Sequence, residues 1–77
     1  MQEETFLELD VRPLFAAHRA PMPEILAAVD RLAPGQALRL TAPMEPAPLY
    51  AFLAQRGFSH ETTRADDGTW VIVFRRS

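Results

Sequence analysis

The sequence predicts an α+β domain: a two-layer βαβαββ sandwich with two helices on one face of a mixed four-stranded sheet. Three observations carry this expectation. Apolar residues alternate over 5–11 and 36–41, the mark of strands with one dry face. Between them Met22, Ile25, Val29 and Leu32 step by three, four and three, which draws an apolar stripe along a helix. Near the end, Trp70-Val-Ile-Val-Phe74 is apolar at every position, as a central strand covered on both faces would be.

The elements follow in order. In the first strand Leu7, Leu9 and Val11 share one face, with Phe6, Glu8 and Asp10 on the other. Arg12-Pro13 ends it, because Pro has no amide to donate, and residues 12–21 read as a loop. Pro21-Met-Pro-Glu24 opens the first helix: Pro is tolerated in a first turn and Glu24 suits the positive end of the dipole. Pro34-Gly35 stops it and turns the chain. The strand 36–41 points Leu38 and Leu40 inward. Strand, helix and strand make a right-handed βαβ unit, so these two strands should be parallel. A Pro-rich loop, 43–48, leads to a short helix bearing Leu49, Phe52 and Leu53 and ended by Gly57. Residues 58–64 form the least apolar strand, expected at an edge. Asp67-Gly68 signals a hairpin turn to the final strand, so these two pair antiparallel. The expected sheet order is 1-2-4-3, with Trp70, Ile72 and Phe74 facing the helices and Val71 and Val73 facing the open side.

Size and composition narrow the functional classes. The 77 residues make one domain, 1–77, and 48% apolar content supplies one modest core. The net charge is −2, and all eight basic residues other than His are Arg. An acidic balance does not attract a polyanion, so no nucleic-acid partner is expected. The acidic start, Met1-Gln-Glu-Glu, is not a signal peptide, and no run approaches the ~18 apolar residues of a membrane span. No membrane partner is expected either. The absence of Cys excludes disulfides and thiolate chemistry and fits a cytoplasmic protein.

Leu9-Asp10 at the close of the first strand, Arg19-Ala20-Pro21-Met22-Pro23 at the helix start and the Pro34-Gly35 stop resemble the TusA/SirA-like family over nearly the whole chain. That resemblance implies a small two-layer α/β fold that passes a persulfide sulfur or binds protein partners. The reactive Cys of the R-C-P-x-P motif is replaced here by Ala20. A methyl group cannot attack sulfur, so the resemblance implies the scaffold without the carrier activity. The chain is also similar to a bacterial family of unknown function in the same fold group. The matching stretches are Leu9-Asp10-Val11-Arg12, Val29-Asp30-Arg31-Leu32-Ala33-Pro34-Gly35-Gln36, Glu45-Pro46-Ala47-Pro48-Leu49 and Trp70-Val71-Ile72-Val73-Phe74. Several members of that family carry His near the helix starts, where this chain has Met22 and Met44, so a metal or redox role does not carry over residue by residue.

Candidate sites fall in two places. The carboxyl ends of parallel strands and the following helix starts meet at one edge, where ligands and anions favour binding. This gathers Arg12, His18, Met22, Met44 and Glu45 as a possible small-ligand or redox-metal site. Arg12 would hold an anion, and the thioethers suit Cu(I). The plain alternative is that both Met residues fill gaps against the sheet and His18 and His60 are solvated. The second place is the uncovered sheet face, where Phe6, Val71 and Val73 with Ala37 form an apolar strip bordered by Glu8, Asp10, Arg39 and Thr41. Asp66-Asp67-Gly68 lacks the oxygen ligands of a calcium loop and is a turn. No nucleophile–base pair, metal cluster or phosphate loop is legible, so neither enzyme activity nor a cofactor is expected. The reading is a non-catalytic module that binds a protein partner or itself, through the open sheet face with Phe6, Arg39, Val71 and Val73 or through the helix-start edge; a small ligand or redox metal at that edge is the alternative.

Overall fold

Seven elements follow one another in the computed structural model, which describes residues 4–76. They are β1 (Thr5–Asp10), α1 (Arg12–Ala16), α2 (Met22–Asp30), β2 (Gln36–Ala42), α3 (Ala47–Ala54), β3 (Phe58–Arg64) and β4 (Trp70–Arg76). The sheet order is β1-β2-β4-β3. β1 and β2 are parallel, while β4 runs antiparallel to both β2 and β3. The order, the strand directions and the central place of the apolar last strand are those the sequence predicts.

Register explains the core. Leu7 and Leu9 of β1 lie beside Leu38 and Leu40 of β2, which lie beside Phe74 and Ile72 of β4. Leu38, Leu40, Ile72 and Phe74 are fully buried. Above them sit Ile25 and Val29 of the predicted stripe with Ala28 beside them, Leu32 just past the end of α2, and Leu49 and Leu53 from α3. Each large side chain removed from water here contributes about 1.5–3 kcal/mol before entropy is counted. The cluster holds strand residues of one parity only. Phe6, Arg39, Val71 and Val73 have the other parity and project from the face without helices.

The segment 12–21 differs from the expected loop. Its first half is α1, so three helices cover the sheet rather than two. Pro13 stands at the helix start, where its missing amide costs nothing, instead of merely ending the strand. Leu14 and Phe15 pack against the core and hold the short helix to the same face. Its end is a Schellman closure: the His18 amide donates to the Phe15 carbonyl (3.1 Å) and the Arg19 amide to the Leu14 carbonyl (2.8 Å). His18 takes the left-handed conformation there, φ 56°, a place usually given to Gly.

α2 ends at Asp30 with Arg31 as its C-cap, ahead of the expected Pro34-Gly35 stop, so that pair turns the chain into β2 without ending the helix. Gly35 adopts φ 80° between α2 and β2, and the Gln36 amide donates to the Ala33 carbonyl at 2.9 Å. In the β3–β4 hairpin, Asp67 Oδ1 accepts the Thr69 amide at 2.9 Å, an Asx turn rather than a metal loop.

Candidate functional site

The helix-start edge is the carboxyl end of β1 and β2. Asp10, the last residue of β1, accepts from Arg12, the first of α1: Nε to Oδ1 at 3.0 Å, Nη2 to Oδ2 at 2.8 Å, and the Arg12 amide to Oδ1 at 3.0 Å. The Arg12 side-chain bonds, then its backbone bond, hold the Asp10 carboxyl below its usual range. Asp67 is lowered chiefly by its bonds from Thr69, and the charge of Arg12 adds to this. The hairpin turn thus borders the same edge.

The five residues expected here serve separate partners. Arg12 is engaged by Asp10. Glu45 accepts the Tyr50 hydroxyl at 3.3 Å. Met22 is half-buried and packs against the core, while His18 closes α1. Met44 is 51% exposed, the one large hydrophobic among the described residues to be so. No hydrogen bond or ion pair joins any two of the five among the described residues. Nor does any group of three His, Asp or Glu among them lie close enough to hold a metal ion. Ala20 is exposed and stands two residues before α2, with Pro21 as the N-cap.

On the uncovered face the four expected residues do gather. The Arg39 guanidinium carbon lies 4.0 Å above the Phe6 ring, and Arg39 Nη1 donates to Glu8 Oε2 at 2.8 Å. Val73 pairs with Arg39, and Val71 with Thr41. Ala37 is only 1% exposed despite facing this side, because longer neighbours cover it. Arg75, next to Val73 in phase on this face, donates to Glu4 with Nε at 2.7 Å and Nη2 at 2.9 Å. The face is therefore half-buried apolar groups stitched across by charge pairs, not a bare strip.

A third cluster lay outside the sequence reading. The Tyr50 ring of α3 stacks on the His60 ring of β3, centroids 3.8 Å apart and 8° from parallel. The Tyr50 hydroxyl is 2.7 Å from Thr62 Oγ1. Partial burial raises the Tyr50 hydroxyl above the usual tyrosine range; the Thr62 bond opposes the shift and Glu45 adds to it. The available signal was phase: Phe58, His60 and Thr62 share one parity, so the strand's polar residues reach the helix side. At the opposite end of the sheet Glu4, Gly35, Gln36, Ala37, Arg75 and Arg76 line a shallow hollow of about 270 Å³. None of the five edge residues borders it.

These features define a class: a small two-layer α+β domain whose four-stranded sheet is helix-covered on one face only. The chain belongs to the family described as Uncharacterized conserved protein (DUF2249), whose model matches residues 8–76. No curated protein and no solved structure matches it. Among the described residues no helix is long and apolar enough to cross a membrane.

Proposed function

We propose that this chain is a non-catalytic interaction module which binds a protein partner through the uncovered face of its sheet. One observation carries the reading: Phe6, Val71 and Val73, half-buried, form an apolar centre with Arg39 across it and ion-paired carboxylates around it. An apolar centre with Arg, inside a polar rim, is the anatomy of protein interfaces. The strand order and the motif positions support a TusA/SirA-like scaffold, and Ala20 before α2 supplies no thiol to carry sulfur. The lack of Cys supports a cytosolic setting.

The test is quantitative affinity capture from the source cells with wild type and with Val73→Asp. Ala27→Asp on the exposed side of α2 serves as control. The reading requires a protein recovered by wild type and by the α2 variant but lost with Val73→Asp. Equal recovery by all three refutes it. Ala20→Cys probes the scaffold: acceptance of a persulfide by that variant supports the kinship, and failure of a folded variant to accept one counts against it.

A further inference from the structure

We propose that β1 is a docking edge for β1 of a second copy of this chain, joining two sheets antiparallel into one of eight strands. The inference goes beyond the interaction reading above: its surface is the sheet edge rather than the uncovered face, and its partner is the chain itself.

The edge is open. The Val11 amide donates to the Thr41 carbonyl at 3.0 Å, so Val11 faces β2. Strand groups alternate in direction. Leu7 and Leu9 therefore also turn their amides and carbonyls to β2, and Phe6 and Glu8 turn theirs outward. No described residue bonds those outward groups. Sheet edges are normally guarded by charge. Here the guard is cancelled: the three ion pairs among the described residues all neutralise acids of this edge, Glu4 by Arg75, Glu8 by Arg39 and Asp10 by Arg12. The other edge, β3, carries His60, Glu61 and Arg64 without ion pairs among the described residues. No Pro interrupts β1.

A second copy fits better than a loose peptide. A two-fold axis through Leu7 sets Phe6 opposite the partner's Glu8, with outward groups meeting outward groups in hydrogen-bonded pairs. It sets Leu7 against Leu7 of the partner subunit as the closer non-hydrogen-bonded pair. Glu4 meets the partner's Asp10, each beside its own Arg. Moving the axis to Glu8 would set two glutamates directly opposite, and moving it to Phe6 would shorten the paired stretch of β1 from residues 5–9 to residues 5–7. Leu7 and Leu9 are half-exposed on the helix side. A second copy brings its own helical layer to continue that cover, which an added peptide strand does not.

The test is sedimentation equilibrium of wild type and Glu8→Pro. Pro is tolerated where an edge amide faces solvent, so the β1–β2 ladder survives. The variant loses two intersubunit bonds, one from each copy, and the dimer should weaken about thirtyfold. A second readout uses the lack of native Cys: Leu7→Cys should give a disulfide-linked dimer on mild oxidation, and Thr63→Cys on β3 should not. A monomer at all concentrations with no preferential Leu7→Cys cross-link overturns the inference. A dimer indifferent to Glu8→Pro and lost with Val73→Asp overturns it too. The interaction reading itself fails separately, on the capture comparison.

Discussion

His18 holds the least favourable backbone among the described non-glycine residues, the only one with positive φ. A side chain in the left-handed region pays a steric cost that Gly does not, and the ring makes no hydrogen bond or ion pair among the described residues. His18→Gly is therefore expected to stabilise the fold by about 1 kcal/mol in urea unfolding; unchanged or lower stability would contradict the Schellman account. The edge carboxylates make a second prediction. Glu4 and Asp10 are held below their usual values of 4.5 and 3.8, first by hydrogen bonds from Arg75 and Arg12. A carboxyl lowered on folding contributes stability above its unfolded value and loses it as pH falls through the folded one. Stability should thus decline on acidification below ~pH 4, and Asp10→Asn should flatten that decline. Both groups are exposed, so the effect is small. A slope unchanged by Asp10→Asn would remove Arg12–Asp10 from the account.

Elements differ in how much of the fold rests on them. β4 pairs on both sides and buries Ile72 and Phe74 completely, whereas β3 is an edge strand in which only Phe58 is buried. Phe74→Ala is expected to cost about 3–5 kcal/mol, close to the whole stability of so short a domain. Arg64→Ala, which removes only an exposed guanidinium 5.4 Å over the Trp70 ring, should cost no more than about 1 kcal/mol. Thermal unfolding decides; a folded Phe74→Ala of near-native stability would place the core elsewhere. The strands were legible because one-residue alternation states which face is dry, and β4 because Val71 and Val73 broke that alternation. α1 was not, because its signals pointed the other way. Pro13 reads equally as strand end and helix start, and a His at the closure gives no stop signal. With five residues, the helix is too short for periodicity and is held by Leu14 and Phe15 against the core.

At the scale of the molecule, one layer of helices on a four-stranded sheet leaves a full face uncovered, and that asymmetry is the source of the functional reading. The uncovered face was legible from parity: Phe6, Arg39, Val71 and Val73 all lie where the sequence sets them. Their stitching by Arg39 and Arg75 was not, because those partners lie 31 and 71 residues away in the chain. The Tyr50–His60 stack escaped for another reason: it joins a helix to an edge strand that read as solvated. The helix-start edge gathered its residues in topology, but local bonds engage them separately: Asp10 takes Arg12 and Tyr50 takes Glu45.

The claim that this domain works by association rather than chemistry is tested most directly by photo-cross-linking in the source cells. A photoreactive side chain would replace Val73 in one variant and Ala27 on α2 in another. The account predicts defined protein adducts from position 73 that are missing from position 27. Adducts from neither position, or the same adducts from both, would contradict it.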